Sequence, residues 1–448
     1  MLEIIKRQRE YFNTNETKKV SFRINSLRKL KQVIKLYEEL ILDALNKDLG
    51  KSRYEAFVTE VGLVYQEINY QIKKLPKWSK VNKVKTPKIF FGSKSFVKRE
   101  PYGVVLIISP WNYPFQLSFL PLIGALAAGN TIILKPSTQS GNTSKVIVKM
   151  IEEYFKPEQI AVVEGDRDIL DYEYDYIFFT GSVNVGKIIM EKASKYLTPV
   201  TLELGGKSPC IVYKDADISK AARAIIYGKL LNAGQTCVAP DYLLAHKDIK
   251  EELINAIINA VDKYYPKALD NDYYPKLINQ KQFNRLNGYL EKNKIVYGGK
   301  TNLNQLKLEP TIVTDINNDD KVMNEEIFGP ILPIIAFSDL SEVITYIKKK
   351  PKPLALYLFT TDKLVEKEII NQLDFGGACI NDTLIHLSTP YLPFGGVGNS
   401  GMGRYHGYAS FTTFTYQKSI FKKGNFDTSL RYPPYTDNKL KIIKRIFK

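Results

Sequence analysis

Short apolar runs rich in β-branched residues recur along the middle of the chain, each ending in Gly, Pro, Ser or Asn. The first four, from Gly103 onward, are VVLIISP, NTIILKPS, IAVVEG and YDYIFFTGS. Segments with helical spacing, such as LSFLPLIGALAAG, separate them. This alternation predicts parallel strands that are buried on both faces. A second alternation runs from about Pro209 to Asp382, so the pattern predicts an α/β fold with two doubly wound units.

The two ends of the chain differ from this pattern. Residues 1 to about 75 place apolar positions at helical spacing between charges, which predicts a helical lead-in. The segment KSFVKREPYG has the alternation of an exposed strand, and SFTTFTYQKSI near the C-terminus is predicted to be a strand as well. We therefore expect β extensions outside the two α/β units.

Composition narrows the class of protein. The chain has 448 residues, of which 44% are hydrophobic and 25% charged, as expected for two or three globular domains rather than a disordered or fibrous chain. Its three cysteines are too few for a disulfide framework, and an odd number is typical of a reducing compartment. The start, MLEIIKRQREYF, lacks the apolar core of a signal peptide. We therefore expect a cytoplasmic protein.

The net charge of +17 allows several interpretations. A basic protein can bind nucleic acid, an anionic membrane surface or an acidic substrate. Alternatively, Lys is simply used heavily throughout the chain. Only two basic clusters are dense, Lys73–Lys88 and Lys439–Lys448, and only the second is amphipathic. Such a segment can lie on a bilayer, and the alternative is a tail that is solvated or packed in a dimer.

Two glycine-rich segments match phosphate-binding motifs. Gly396–Gly401 fits GxGxxG, but no apolar strand before it and no helix after it are predicted, which favours a structural loop. Gly181–Lys187 has the right context, between the strand YDYIFF and a predicted helix whose backbone N–H groups favour a phosphate. Ile188 stands where a phosphate loop needs Ser or Thr for Mg²⁺, so a metal-free pyrophosphate contact or a turn without a ligand remains.

A cysteine and a glutamate are the candidate catalytic residues. Cys237 follows the short polar loop NAGQT, although a lone cysteine is also often an inert core residue. A free thiol is mostly protonated at neutral pH, so a nucleophilic Cys237 needs a base. Glu203, in the apolar run TLELGG, would be desolvated and would suit that role, unless it ends a strand and faces solvent.

Histidine is the other base that could serve a cysteine. The chain has only three, His246, His386 and His406, so a histidine-paired cysteine hydrolase stays open without specific support. The His, Cys and acidic residues show no metal-ligand spacing, and no metal site is predicted.

Six short motifs follow one another along the chain: PWNYP at 110–114, KPS at 135–137, FTGS at 179–182, ELGGKSP at 203–209, GQTC at 234–237 and EIFGP at 326–330. Two longer segments come later, LPFGGVGNSGMGRYHG at 392–407 and RYPPYTDNKLK at 431–441. Taken together and in order, the six motifs resemble those of the aldehyde dehydrogenase superfamily, and the two later segments resemble its class 3 branch of fatty and aromatic aldehyde dehydrogenases. The resemblance covers essentially the whole chain.

The resemblance implies an oxidation that uses a cysteine. Cys237 would attack the aldehyde carbon to give a thiohemiacetal, and Asn112 with the backbone N–H of Cys237 would form the oxyanion hole. Hydride transfer to a nicotinamide would leave a thioester on Cys237, and Glu203 would activate the water that hydrolyses it. The presence of Glu203 argues against the CoA-acylating branch, so an NAD(P)-dependent, non-acylating enzyme is expected.

The resemblance also implies the cofactor contacts, with NAD or NADP as the cofactor. Lys135 would hold the adenosine ribose, and Glu326 the nicotinamide ribose. The other implied contacts are Gly181, Ser182 and Gly186 at the pyrophosphate, Phe328 and Phe394 near the nicotinamide end, and Trp111 in the same site.

One position departs from the NAD-preferring members, which usually carry Glu three residues after the lysine. Thr138 stands there in this chain. The loss of like-charge repulsion toward a 2′-phosphate predicts use of both cofactors, with NADP tolerated or favoured.

The implied substrate is an apolar aldehyde. Tyr113 and Gln116, with Phe115 and the loop at 385–391, form a mostly apolar tunnel that suits a medium- or long-chain aliphatic, aromatic or terpenoid aldehyde. A homodimer is implied, bridged by the strand near KSFVKREPYG and the C-terminal strand. The basic tail adds the expectation of a weak peripheral membrane contact. Two alternatives remain: a cysteine-dependent esterase without redox chemistry, and a nucleic-acid-binding protein, which rests on net charge alone and is not expected.

The expected domain division follows from the same resemblance. Residues 1–92 and 103–206 form the helical lead-in and the dinucleotide-binding domain, and residues 207–390 the catalytic domain. Residues 93–102 and 391–448 supply bridging strands and the C-terminal tail.

Overall fold

The N-terminal segment is helical, as its spacing predicts. The computed structural model describes residues 1–165 and 167–447, with the backbone alone at Arg167. The helices of this segment are α1 (Leu2–Asn13), α2 (Val20–Leu49), α3 (Arg53–Ala56) and α4 (Gly62–Trp78). A π-helical turn, Phe57–Val61, joins the last two. Gly50 ends α2 in the left-handed conformation (φ 68°), and the buried apolar face of α2 packs on the first sheet unit.

The first α/β unit contains a six-stranded sheet. In spatial order its strands are β17 (Gly401–Met402), β7 (Val200–Leu204), β6 (Tyr176–Gly181), β3 (Val104–Ile108), β4 (Thr131–Lys135) and β5 (Ile160–Val162). The helices α5 (Gln116–Ala128), α6 (Gly141–Tyr154) and α7 (Val183–Ser194) connect them. All neighbours are parallel except β17 and β7. The chain winds outward from β3 in both directions, so the loops after β3 and β6 separate at a switch point where ligands bind.

The second α/β unit contains a seven-stranded sheet. In spatial order its strands are β10 (Ile295–Tyr297), β13 (Thr311–Val313), β14 (Ile331–Phe337), β9 (Tyr242–His246), β8 (Pro209–Val212), β15 (Ala355–Phe359) and β16 (Gly377–Ile380). Its helices are α8 (Ile218–Leu230), α9 (Lys250–Tyr264), α10 (Gln280–Asn287), α11 (Lys321–Asn324), α12 (Leu340–Lys348) and α13 (Lys363–Gln372). A small hairpin consists of β11 (Thr301–Asn302) and β12 (Lys307–Leu308). The predicted α/β fold with two wound units is confirmed.

A third sheet joins distant parts of the chain. Its strands are β1 (Asn82–Val84), β2 (Lys94–Pro101) and β18 (Thr415–Lys422), and β2 pairs with both others in antiparallel register. One element of the tail differs from the prediction, because the first part of SFTTFTYQKSI belongs to helix α14 (Tyr408–Thr413). Phe411 and Phe414 are buried in the main core, and Ser410 and Phe414 crowd Gly124 of α5. Tertiary packing therefore overrides the strand propensity of Phe and Thr.

The chain ends in an exposed helix, α15 (Asp437–Phe447), none of whose described residues is buried. Within the described ranges, no helix combines the length and the apolar character that a membrane span needs.

Candidate active site

The carboxyl ends of the first sheet open into a cavity of about 720 Å³ that the second α/β unit closes from the other side. Its walls include the loop after β3, the start of α7, the end of β7 and the loop before β14. Eight of the predicted site residues line it together: Trp111, Asn112, Gly181, Ser182, Glu203, Cys237, Glu326 and Phe328. Residues more than 200 positions apart in the sequence thus meet in one space.

Cys237 lies on a tight loop between α8 and β9. Asn232 and Ala233 (φ 53° and 51°) adopt the left-handed conformation, as does Gly234 (φ 77°). A Cβ on Gly234 would lie 2.3 Å from the carbonyl oxygen of Gly329, so only glycine fits there. Asn232 Nδ2 donates to the carbonyl oxygen of Gln235 (3.1 Å) and closes the loop. This geometry leaves Cys237 half-buried and facing the cavity.

Glu203 is the buried carboxylate beside the cysteine. It lies near the end of β7 with 1% of its surface exposed, so the solvent-facing alternative is wrong. Burial raises the pKa of Glu203 to about 8, although the nearby Cys237 thiol and Thr180 hydroxyl lower it in part. Among the described residues, its Oε1 has no hydrogen-bond partner in the absence of bound molecules. A carboxyl group that titrates near neutral pH is suited to general base catalysis.

The surroundings of Cys237 favour its thiol over its thiolate form. Burial raises its pKa well above the usual value, and the charges of Glu203 and Glu326 raise it further. Ionisation of the thiol therefore needs a proton acceptor, and Glu203 interacts with it directly. His246, His386 and His406 are not among the described residues that line the cavity. His386 Nδ1 lies instead 3.1 Å from Sγ of another cysteine, the buried Cys379.

Asn112 follows β3 and contacts the loop that carries Cys237. Its Nδ2 donates to the carbonyl oxygen of Gln235 (3.1 Å), two residues before the cysteine. An amide nitrogen has two protons, so one remains for a ligand in the cavity. The side chain is 3% exposed and lines the cavity wall.

The other end of the cavity has the chemistry that a dinucleotide needs. Ser182 caps the twelve-residue helix α7, and its hydroxyl accepts from the backbone N–H of Val185 (3.5 Å). The positive end of this helix faces the cavity, and four lysines line the same space: Lys207, Lys349, Lys350 and Lys352. Toward Cys237, the rings of Trp111 and Phe328 meet edge to face, with centroids 5.4 Å apart. A helix start, lysines and aromatic rings along one cavity are groups of the kind that bind phosphates and an aromatic base.

The Glu326 side chain lies at the cavity, close against the backbone of Gly205. A Cβ on Gly205 would lie 2.1 Å from Glu326 Oε2, so this approach requires glycine. Burial and the charge of Asp241 raise the pKa of Glu326 well above the ordinary value.

An ion pair that the sequence reasoning missed fixes the same loop. Lys207 and Asp241 are paired, and Lys207 Nζ also donates to the carbonyl oxygens of Val322 (3.0 Å) and Glu325 (2.9 Å). Asp241 Oδ1 accepts from the backbone N–H of Ile327 (2.9 Å). In the sequence, Lys207 stands within the motif GGKSP and Asp241 stands four residues after Cys237. A charged residue at each of these two places was the sequence signal that could have indicated the pair.

Four predicted cofactor residues lie outside the cavity wall. Lys135 ends β4 half-buried, beside the loop that carries Trp111, and Thr138 is exposed three residues later. Gly186 packs against β7, where a Cβ would lie 2.9 Å from Leu204 Cδ2. Phe394 is buried and stacks on His406, with ring centroids 5.3 Å apart. Their contacts with a cofactor stay predictions.

The two predicted substrate residues are buried beside the catalytic loops. The hydroxyl groups of Tyr113 and Thr236 lie 2.7 Å apart, which ties the Asn112 segment to the residue before Cys237. Gln116 begins α5 and is 6% exposed. Their contact with a substrate also stays a prediction.

Taken together, the wound sheet and a cavity that holds the start of α7, four lysines and the Cys237–Glu203 pair are the features of a nicotinamide-dependent dehydrogenase. The aldehyde dehydrogenase family model matches residues 2–420. The chain belongs to the aldehyde dehydrogenase family, which confirms the resemblance seen in the motifs.

Similar proteins agree with this family. The chain is 49% identical over 446 residues to 4,4'-diaponeurosporen-aldehyde dehydrogenase of Staphylococcus aureus, covering 98% of this chain and 97% of that protein. It is 41% identical over 440 residues to the rat dimeric NADP-preferring aldehyde dehydrogenase, covering 96% and 97%. The solved structure described as the substrate-bound state of Staphylococcus aureus AldH superposes with a TM-score of 0.97 at 47% identity, covering 100% and 99%. The protein is an oxidoreductase that acts on aldehydes, and its cofactor is NAD or NADP.

Among the described side chains, no group of three or more His, Cys, Asp or Glu is arranged to hold a metal ion.

Proposed function

We propose that this enzyme oxidises a long apolar aldehyde to the carboxylic acid, with Cys237 as nucleophile and Glu203 as base. The observation that carries the proposal is that the thiol and the buried carboxylate share one cavity with the start of α7. Asn112, 3.1 Å from the Gln235 carbonyl oxygen, adds a donor beside the thiol.

In the first step the sulfur of Cys237 attacks the aldehyde carbon and forms a C–S bond. The thiol proton passes to the carboxylate of Glu203. The carbonyl oxygen becomes an oxyanion, which Asn112 Nδ2 and the backbone N–H of Cys237 stabilise; one such donor is typically worth about 2.7–4 kcal/mol. An oxidised nicotinamide held in the same cavity would supply the acceptor for the hydride that this carbon loses.

In the second step Glu203 acts on water. Glu203 first releases to solvent the proton that it took from the thiol. Its carboxylate then takes a proton from water, and the water oxygen attacks the thioester carbon on Cys237. The C–S bond breaks, the carboxylic acid leaves, and the Cys237 thiolate takes the proton that Glu203 had removed from water. The base is buried next to the sulfur, so water rather than a larger thiol such as CoA is the acyl acceptor in this proposal.

An apolar substrate is supported by exposed apolar side chains at 385–392, a segment that includes the loop assigned by the resemblance to the substrate tunnel. Ile385, Tyr391 and Leu392 are apolar and more than half exposed, and Tyr391 packs edge to face on Tyr70 at 5.3 Å. The relative from Staphylococcus aureus is named for a carotenoid aldehyde, a long apolar chain. We extend that substrate class, though not that compound, to this enzyme.

The test of this proposal is the formation of reduced nicotinamide with a long-chain aldehyde, compared with a short charged semialdehyde. We expect a higher kcat/KM for the long-chain substrate. Equal or higher efficiency with the charged semialdehyde would contradict the apolar substrate class. Ester hydrolysis without any cofactor-dependent turnover would favour the esterase alternative instead.

Dual cofactor use, with NADP favoured, is part of the proposal. Thr138 is exposed after β4 and offers a hydroxyl where NAD-preferring members carry a carboxylate. A rat relative is named NADP-preferring, which supports the same assignment.

Thr138→Glu is expected to raise KM for NADP by about tenfold or more and to leave KM for NAD little changed. A carboxylate near a 2′-phosphate adds like-charge repulsion that is only partly screened at the surface. The measurement is steady-state kinetics with each cofactor. Gln139→Glu, which adds the same charge one residue further along, is the matched control. Strict NAD use by the unsubstituted enzyme, or equal effects of the two variants, would contradict the Thr138 assignment.

We further propose a cytoplasmic homodimer that makes weak contact with anionic membranes through α15. The dimer is supported by the free outer edge of β18 in the three-stranded sheet and by the dimeric rat relative. On α15, Leu440, Ile442, Ile446 and Phe447 are exposed, while Lys441, Lys444 and Arg445 occupy the opposite side of the helix. A basic amphipathic helix of this kind lies in the interface of an anionic bilayer.

Deletion of residues 439–448 is expected to abolish co-sedimentation with phosphatidylglycerol vesicles, and vesicles of phosphatidylcholine are expected to bind neither form. Each basic residue near an anionic surface contributes roughly 1 kcal/mol, so binding of the full chain should fall with salt. Ile442→Ser/Ile446→Ser keeps the charge and should weaken binding through the apolar face alone. Vesicle binding unchanged by the deletion, or a deletion that instead dissociates the dimer in light scattering, would exclude the membrane contact.

A further inference from the structure

A buried ion pair in the N-terminal helical segment contacts the backbone that carries Asn112. Lys51 and Glu60 have no exposed surface, and Lys51 Nζ lies 2.5 Å from Glu60 Oε1. Apolar side chains in place of a buried ion pair are often equally stable, so the pair by itself is weak evidence for a stabilising role. Its other contacts indicate a different task.

Lys51 also contacts the loop that carries Asn112. Besides Glu60, its Nζ donates to the carbonyl oxygen of Asn112 (3.1 Å) and lies 3.9 Å from the centroid of the Tyr113 ring. The ammonium group thus makes two hydrogen bonds and a cation–π contact. The peptide carbonyl of Asn112 is therefore held by a charge-assisted hydrogen bond.

Glu60 holds the other end of the same loop. Its Oε2 accepts from the backbone N–H groups of Phe115 (2.9 Å) and Gln116 (3.2 Å), at the start of α5. Phe115 is the N-cap residue of α5 and has no side-chain acceptor, so Glu60 supplies from a distant element the cap that the helix lacks. A carboxylate at this place also complements the positive end of the helix.

The loop that carries Cys237 also contacts the Asn112 peptide. Asn232 Nδ2 donates to the carbonyl oxygen of Asn112 (2.8 Å), and the backbone N–H of Asn232 donates to Glu55 Oε1 (2.8 Å). The Asn112 peptide thus lies between Lys51 and the turn that presents Cys237. The orientation of this peptide sets the direction of the Asn112 side chain, whose Nδ2 is 3.1 Å from the Gln235 carbonyl oxygen.

We propose that Lys51 and Glu60 are positioning residues that hold Asn112 in register with Cys237 for stabilisation of the oxyanion. The inference rests on the proposed role of Asn112. Neither side chain lines the cavity, so both act through the backbone between Asn112 and Gln116. The N-terminal helical segment then contributes to catalysis as well as to the core.

The test compares Lys51→Met/Glu60→Gln with Asn112→Ala and with the triple variant. The double variant removes both buried charges together, which avoids an unpaired carboxylate. A misplacement of about 1 Å at a catalytic group can cost on the order of 100-fold, so we expect kcat to fall by about tenfold or more. KM for the cofactor should change little, because the α7 end of the cavity is untouched. In the Asn112→Ala background the same two substitutions should cause no further loss of kcat.

Each outcome separates the two proposals. Wild-type kcat in a folded double variant, or a loss that multiplies with that of Asn112→Ala, would overturn the positioning role and leave the role of Asn112 intact. An active Asn112→Ala enzyme would overturn the oxyanion assignment, and the positioning role with it. If the double variant melts below the assay temperature, kcat of all variants is compared at a temperature below its melting point, where the same fall is expected. Lys294→Met, which breaks the Lys294–Asp320 pair away from the cavity, is the matched control and should keep wild-type kcat.

Discussion

Cys237→Ala is expected to lower kcat for reduced-nicotinamide formation by on the order of 10³-fold or more, because no adduct can form from which hydride could leave. Cys237 lines the cavity, whereas Cys210 and Cys379 are buried in strands of the second sheet. The measurement is the absorbance of reduced nicotinamide with a long-chain aldehyde, supplied with NAD and NADP separately.

Two controls separate lost chemistry from lost structure. Cys210→Ala removes a thiol of the same type from the core and should keep cofactor-dependent turnover. Cofactor binding to the Cys237→Ala enzyme should persist, and it can be followed by quenching of Trp111, which lines the cavity. Turnover that survives in Cys237→Ala would rule out this residue as the nucleophile.

Glu203→Gln is the substitution with the second largest expected effect. Loss of a general base typically costs about 10²–10⁴-fold, so steady-state turnover should fall by that order. The base acts on both the thiol and water, and water is by far the weaker acid, so loss of the base should slow hydrolysis of the thioester most and make that step rate-limiting. We expect a burst of about one reduced nicotinamide per active site, followed by a slow phase. Rapid-mixing absorbance measurements resolve the two phases.

The pH profile gives an independent readout of the same carboxyl group. Burial raises the pKa of Glu203 to about 8, so below that pH the group is mostly protonated and cannot accept a proton. Steady-state turnover should therefore rise with pH through about 8 and then level off, and Glu203→Gln should lose this rise. Glu67→Gln is the matched control, since Glu67 is also buried with its pKa raised to about 6 but does not line the cavity. Wild-type turnover in Glu203→Gln would contradict the proposed base.

Local pattern was sufficient for most of the fold. VVLII in β3 and YIFF in β6 are continuous apolar runs, which is typical of parallel strands buried on both faces, and both form such strands. The strand predicted from SFTTFTYQKSI begins only at Thr415, because Phe411 and Phe414 pack into the core from a helix and its end. Propensity could not anticipate this, since the burial partners of these rings lie on α4, α5 and β6, far away in the sequence.

The candidate site, like the fold, could be predicted only in part from local sequence patterns. The order and spacing of short motifs pointed to Cys237, Glu203 and the α7 turn, because this chemistry needs a thiol, a base and a phosphate-binding helix start. The sequence did not decide whether Glu203 faces solvent or the thiol, since the residue pattern at the end of an apolar strand is the same in both cases. The structure decides it, with 1% of Glu203 exposed and its pKa raised to about 8.

By itself, then, the sequence determined the two α/β units and the family, and it predicted which side chains react, because all of these depend on periodicity and on motifs of a few adjacent residues. Only the tertiary structure decided which charges are buried together. Lys51 and Glu60 lie in an apparently ordinary helical lead-in, yet they hold the Asn112 loop. Such pairs depend on how distant elements pack, and no local period along the chain records that packing.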